Sequence, residues 1–269
     1  MYDPKVEGIK LESRDETARV LSIHPVQGEY WLLRAHAPFL AGNAQPGQYV
    51  HIRVPGLEAS ALRRPFSIYG CEGEALEILF KVVGRGSAAL SRVQEGDVLQ
   101  ILGPLGNGFP LPKEKAAYPV CVAGGYGVAP FHFFASRVSA GSVLIGGRTA
   151  GDILCADSFP DGRWRVGIAT EDGSKGTKGL VTRLLKTELE TYGSAAVIYA
   201  CGPDGMLRAV GEMAASFGCT AWLSLDKHMV CGVGACLACV QKIRLADGTE
   251  RLLRVCKEGP VFEASEIVW

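Results

Sequence analysis

What this sequence lacks closes off several classes of function. It has no net charge, since 28 Lys and Arg balance 28 Asp and Glu, and no run of like charges, so no field recruits nucleic acid or an anionic membrane. The first twenty residues, MYDPKVEGIKLESRDETARV, contain no apolar core of the kind a signal peptide carries. A cytoplasmic location with reduced thiols is therefore expected, and disulfides are not. A clean membrane span is lacking too. Ala116 to Ser136 runs 21 residues without Lys, Arg, Asp or Glu, yet Pro119, Gly124, Gly125, Gly127 and Pro130 interrupt it. It reads better as a buried strand, a glycine turn and a helix. Internal repeats and low-complexity segments are absent as well.

Cysteine is abundant instead, with nine residues in two groups. Cys71, Cys121, Cys155, Cys201 and Cys219 are scattered as small buried hydrophobes are. The other four fall within 26 residues: Cys231, four residues, Cys236, two residues, Cys239, sixteen residues, Cys256. In a reducing compartment such a group is more often metal-binding than cross-linked. C-x4-C-x2-C followed by a distant fourth cysteine is the plant-type spacing for a [2Fe–2S] cluster. Gly232, Gly234 and Ala235 give the loop freedom to turn and to aim amide N–H groups at sulfur. A structural zinc site, which more often shows two separated C-x2-C pairs, is the alternative.

At 269 residues the chain exceeds one ordinary domain of about 150. From Thr17 to about Pro110 short β-rich runs (ARVLSIHPV, YWLLRAHA, QYVHIRV, FSIYG, LEILFKVV, DVLQILGP) are parted by Gly and Pro, predicting an antiparallel barrel or sandwich. From Tyr118 apolar runs (YPVCVAG, SVLIGG, RVGIAT, AVIYACG) alternate with helix-like stretches, the pattern of βαβ units on a parallel sheet. The remainder holds the cysteines and a predicted hairpin, KIRLADGTERLLRV, turning at Asp247 and Gly248. The expected organisation is β plus α/β: residues 1–112 a β-barrel, 113–218 a nucleotide-binding α/β domain, and 219–269 a small cluster domain.

Three further segments carry chemistry. Arg64-Pro65-Phe66-Ser67, then Lys81 and Gly84-Arg85-Gly86-Ser87, combine an arginine fork suited to a diphosphate, an aromatic ring to cover a flavin face, and a hydroxyl for a flavin nitrogen. The Gly86 and Ser87 amides are candidates to hold phosphate, although a surface turn explains the tetrapeptide about as well. Gly124, Gly125 and Gly127 stand between a strand and a helix, where a dinucleotide can approach the backbone. Pro130 replaces the usual third glycine, and a tight turn is the plainer explanation. Cys201, in Cys201-Gly202-Pro203-Asp204-Gly205-Met206, ends a strand where ligands of open sheets bind, or is simply a buried thiol. Arg148, rather than an acidic residue, follows the second strand of this region.

In this order the segments resemble the ferredoxin–NADP reductase superfamily: Arg-x-aromatic-Ser, Gly-Gly-x-Gly-x-Ala-Pro and Cys-Gly-Pro-x-x-Met. Cys-Gly-Val-Gly-Ala-Cys-Leu-Ala-Cys and the ending Val-Cys-Lys-Glu-Gly-Pro-Val-Phe resemble the electron-transfer subunits of type B dihydroorotate dehydrogenases, over nearly the whole chain. The resemblance implies FAD, a [2Fe–2S] cluster and NAD, with an FMN-containing dihydroorotate dehydrogenase as partner, two of each subunit. It implies flavin contacts at Arg64, Pro65, Phe66, Ser67, Leu79, Phe80, Lys81, Gly86 and Ser87, a barrel-closing loop at Gly106-Asn107-Gly108-Phe109, and Ser67 and Cys201 at the reacting rings. Phe66 stands where many members have Tyr, and Asp226-Lys227-His228 where Glu is more common. A reductase feeding an oxygenase would share the same parts. Residues 1–16 receive no role.

Overall fold

The computed structural model describes residues 12–57, 62–112, 117–160 and 162–269. The expected boundary at 112/113 and most of the 1–16 segment lie at or beyond its limits. Seven strands form the first sheet: β1 (Arg14–Gln27), β2 (Tyr30–His36), β3 (Tyr49–Arg53), β4 (Arg64–Ser67), β5 (Gly70–Glu72), β6 (Ala75–Lys81) and β7 (Val98–Leu105), in the order β4-β3-β7-β1-β2-β6-β5. Two short helices, α1 (Pro38–Asn43) and α2 (Arg85–Leu90), interrupt them. β1 begins at Arg14, three residues ahead of Thr17, because Arg14 already pairs with Gly103.

The run FSIYG splits into two strands, and this closes the sheet. β4 pairs with β3, and Ile68 still donates to Gln48 O at 3.1 Å. One residue later Tyr69 donates to Glu77 O at 2.9 Å and β5 pairs with β6. One stretch of chain thus pairs with both edge strands, β3 through β4 and the start of β6 through β5, giving the expected barrel. Alternate residues fill it: Val20, Leu33, Val50, Ile52, Ile78, Phe80 and Ile101 form the interior.

The second sheet runs β11-β10-β9-β8-β12-β13-β16, from β8 (Tyr118–Gly124), β9 (Gly141–Gly147), β10 (Trp164–Thr170), β11 (Thr177–Lys178), β12 (Ala196–Cys201), β13 (Thr220–Ser224) and β16 (Val261–Glu263). All neighbours are parallel except β13 and β16. β8 and β9 are buried along almost their whole length because helices or the barrel cover both faces. α4 (Thr182–Tyr192) and α5 (Asp204–Phe217) lay Leu185, Leu189, Leu207 and Val210 on one face. On the other, α3 (Ala129–Arg137) sends Phe131 and Phe134 into a core shared with barrel residues Tyr69, Leu79 and Phe109, and Phe133 into the barrel itself. This double burial explains the lack of charge over residues 117–136, the described part of the uncharged stretch, and no described helix is long and apolar enough to cross a membrane.

The predicted hairpin forms from β14 (Val240–Arg244) and β15 (Glu250–Arg254). Gly248 takes φ +80° and Asp247 Oδ1 accepts from the Thr249 amide and hydroxyl at 2.9 and 2.6 Å. The boundary expected at 218/219 falls between α5 and β13, a helix and the strand it packs against in the same α/β unit. The nucleotide-type sheet extends to Ser224 and takes back Val261–Glu263, so the cysteine segment is an excursion between its last two strands.

Candidate functional site

The four clustered cysteines come together in pairs. The Cys236 amide donates to Cys231 Sγ at 3.3 Å, and the Cys256 amide to Cys239 Sγ at 3.4 Å. The thiols of Cys231 and Cys236 interact, as do those of Cys239 and Cys256. Among the described residues no three Cys, His, Asp or Glu side chains converge as ligands of one ion. Two thiols on each side of a two-iron centre suit this arrangement better than four around a single zinc. Burial raises Cys231, but amides of Cys236, Val233 and Ala235 outweigh it and bring the thiol down to about 6; burial and Cys239 push Cys256 up to about 12. An amide-lined, electron-rich sulfur set of this kind fits an iron–sulfur cluster.

The barrel grips this segment. Gly232, at φ +66°, has no room for a side chain because an ideal Cβ falls 2.2 to 2.7 Å from ring atoms of His51. His51 is 1 % exposed, and burial followed by the Arg63 charge lowers it to about 4, so it is neutral. The Asn107 amide donates to Gly259 O at 2.6 Å and Asn107 Nδ2 to Glu258 O at 2.8 Å. The loop expected to close the barrel therefore also docks the chain just beyond Cys256.

The two glycine-rich turns interlock at the carboxyl ends of adjacent β8 and β12. A Cβ on Gly127 would lie 2.2 Å from Cys201 O, and one on Gly124 would lie 2.7 Å from Pro203 Cδ. These two glycines serve contact between the turns, whereas Gly125, at φ +55°, has nothing within 4 Å of its Cβ position. All three line a cleft of about 860 Å³ with Cys201, Arg148, Glu171 and Asp226, and with Tyr30 and Lys81 from the barrel. That volume is in the range of small-molecule and cofactor pockets. Burial, then Asp226, pushes the Cys201 thiol up to about 12, so it stays protonated and offers a weak donor rather than a nucleophile.

Sequence reasoning missed Tyr30, Tyr126 and the pairing of Asp226. Tyr126 donates to Asp226 Oδ2 at 3.3 Å across the cleft floor, and burial raises the Asp226 carboxyl. Lys81 Nζ stands 5.1 Å from the Tyr30 ring centre and 4.0 Å from Glu29 Oε2. The Tyr126–Asp226 pair forms within the parallel sheet and the Tyr30–Lys81 pair within the barrel, and the two line one cleft only because barrel and sheet dock, which no spacing along the chain marks.

The flavin-type residues divide by chain geometry. Arg64 lies over the start of α2, where a Cβ on Gly86 would be 2.8 Å from Arg64 Nε. The first-turn amides of a helix have no carbonyl within it and are suited to phosphate. The Ser87 hydroxyl is occupied in the turn, accepting from Val83 and Gly84 amides at 2.9 and 3.2 Å. Phe66 packs edge-on against Phe80, with ring centres 5.6 Å apart, while Pro65 and exposed Ser67 face the opposite side. The Leu79 and Phe80 side chains are buried. β5 stops pairing at Glu77, so Leu79 and Lys81 turn their main-chain groups toward an edge that carries no paired strand among the described residues.

Residues 226–268 match the iron–sulfur cluster binding domain of dihydroorotate dehydrogenase B. The chain is 38% identical to the dihydroorotate dehydrogenase B (NAD(+)) electron transfer subunit of Desulforamulus reducens, covering 94% of this chain and 97% of that one. It is 36% identical to that of Caldanaerobacter subterraneus subsp. tengcongensis, covering 94% and 98%. Among solved structures, the NADH-dependent reduced ferredoxin-NADP oxidoreductase of flavin-based electron bifurcation matches with a TM-score of 0.81 and 26% identity over 98% of this chain and 92% of that chain. The ferredoxin reductase of carbazole 1,9a-dioxygenase shares the fold, with a TM-score of 0.68 and 21% identity over 78% and 68%.

Proposed function

This chain belongs to the dihydroorotate dehydrogenase B electron transfer subunit family, and from that premise we propose that it carries electrons between NAD and the FMN of a dihydroorotate dehydrogenase catalytic subunit, in pyrimidine biosynthesis. FAD and a [2Fe–2S] cluster are its resident groups. The observation that carries this reading is the paired cysteine set held against a flavin-type barrel. When bound, FAD couples two-electron hydride exchange to the one-electron chemistry of the cluster.

The residues supply binding, orientation and exclusion. Cys231, Cys236, Cys239 and Cys256 hold the cluster, and the amides of Cys236 and Cys256 stabilise its sulfurs. Arg64 and the Gly86 and Ser87 amides take the FAD diphosphate. The Leu79 and Lys81 main chain meets the flavin edge, and Phe66, Pro65 and Ser67 border its ring, with Ser67 offering a hydroxyl to a ring nitrogen. Gly125 lets the nicotinamide nucleotide approach the cleft, while Gly124 and Gly127 keep its floor in place. The protonated Cys201 thiol lies at the strand end where the nicotinamide reaches the flavin. Three units follow: an FAD-binding barrel to residue 112, an NAD-binding sheet from 113 that runs on past 218 to Ser224, and a cluster segment within 219–269. Two copies of each subunit, in the cytoplasm, complete the proposed assembly.

The test is the Cys236→Ser variant purified with its catalytic subunit. Cluster absorbance and dihydroorotate-dependent NAD⁺ reduction should both disappear, while FAD and NADH oxidation by an artificial dye persist. A colourless wild-type chain carrying zinc without iron, or one that co-purifies with an oxygenase rather than an FMN dehydrogenase, overturns the proposal.

A further inference from the structure

Tyr49 is 4% exposed and sits on β3, the strand beside the flavin-type strand β4. Its hydroxyl donates toward two carbonyls, Gly232 O at 2.9 Å and Cys256 O at 2.8 Å. One adjoins Cys231 and the other belongs to Cys256, so a single phenolic proton joins the two ends of the cysteine segment. Both hydrogen bonds are buried, and water does not readily replace the donor. Directly across the β3–β4 pair stands Ser67, on the same sheet face.

Two other barrel residues touch the segment, but neither does what Tyr49 does. His51 packs its ring over Gly232, and Asn107 bonds Glu258 and Gly259. Of these three, Tyr49 alone bonds the main chain of a cysteine.

Building on the four-cysteine reading above, we propose that Tyr49 is a positioning residue that fixes the Cys231 and Cys256 ends of the cluster segment beside the Ser67 strand and, through its O–H dipole, favours the reduced cluster. The positive end of that dipole points to the carbonyls flanking the sulfurs. A reduced cluster carries one more negative charge and gains more from it, as clusters gain from hydrogen bonds near sulfur.

The experiment compares wild type, Tyr49→Phe and Asn107→Ala, each in complex with its catalytic subunit, by iron and FAD content, redox titration and electron paramagnetic resonance. Wild type without iron refutes the cluster reading itself, whatever the variants do. With iron present, Tyr49→Phe should keep FAD, change the resonance spectrum and lower the reduced-to-oxidised cluster ratio at fixed potential about fivefold, the factor for one net hydrogen bond. Asn107→Ala should lower the melting temperature while leaving the cluster titration at the wild-type value. A wild-type titration in Tyr49→Phe, or an equal shift in Asn107→Ala, overturns the inference. Should Tyr49→Phe lose its cluster altogether, replacing Tyr49 with 3-fluorotyrosine keeps the ring and strengthens the donor. The ratio must then rise, and an unchanged or lower ratio overturns the inference equally.

Discussion

Replacing Gly232 with Ala tests the claim that His51 and the cysteine loop were fitted to each other. Gly232 adopts φ +66°, and an ideal Cβ would lie 2.2 Å from His51 Cε1, 2.3 Å from Nε2 and 2.7 Å from Nδ1. Holding alanine in the left-handed region costs about 1–2 kcal/mol. Forcing a methyl against a buried ring adds about 1–3 kcal/mol of overpacking. Together, Gly232→Ala should cost about 2–5 kcal/mol, and at about 2–4 °C per kcal/mol for a chain of this size the melting temperature should fall by roughly 4–20 °C. In a His51→Ala background the steric part vanishes and only the backbone part remains, a fall of about 2–8 °C. The four proteins of this cycle are melted at one scan rate, following both far-UV circular dichroism and visible cluster absorbance. The coupling should be about 1–3 kcal/mol in the relieving direction. Equal falls in both backgrounds would refute the reasoning, because the His51 ring would then not be what excludes a side chain at position 232.

Other perturbations discriminate elsewhere in the molecule. Gly127→Ala places its Cβ 2.2 Å from Cys201 O and 2.6 Å from Cys201 C, main-chain atoms that no rotamer change can move. It should destabilise by about 3 kcal/mol or more and weaken NAD binding; Gly125→Ala meets nothing and should cost only about 1–2 kcal/mol for its φ. Calorimetry of both variants checks the order, and equal losses would contradict it. Arg64→Ala should weaken FAD retention about 10- to 100-fold on dilution and gel filtration, the loss of one charged hydrogen-bonding group, with iron content unchanged. His132, stacked 4.2 Å from Tyr69, is lowered by burial, which outweighs the opposing influence of the Tyr69 main chain and the Glu77 charge. Because its folded value lies below the unfolded one, the unfolded chain takes up the proton first. Its contribution is complete above about pH 6.5 and declines as pH falls through that value. Melting temperatures from pH 7.5 to 5.5 should fall more steeply in wild type than in His132→Phe, and parallel slopes would rule out the residue.

Much of the architecture was legible locally. Strand and helix runs follow from residues a few positions apart, and the hairpin at Asp247 and Gly248 forms where its turn chemistry placed it. The boundary at 218 was not legible, because β13 resembles any short apolar strand until β12 lies beside it, and β16 is a three-residue strand that exists only by pairing with β13. The glycine turn was visible as a turn, but its purpose was not. Gly124 and Gly127 lack side chains because another turn, about 75 residues further on, abuts them.

The sequence by itself determined the cysteine set, since C-x4-C-x2-C places three thiols on one loop and leaves a fourth downstream. It also determined the order of barrel, nucleotide sheet and cluster segment, through hydrophobic periods of two and 3.6. Only the tertiary structure decided what holds the cysteines in place and where the cleft opens. Tyr49 lies 183 residues before Gly232 and 207 before Cys256, and Asn107 lies 151 before Glu258. Contacts at such separations are made by loop closure and domain packing, which leave no spacing pattern to read along the chain.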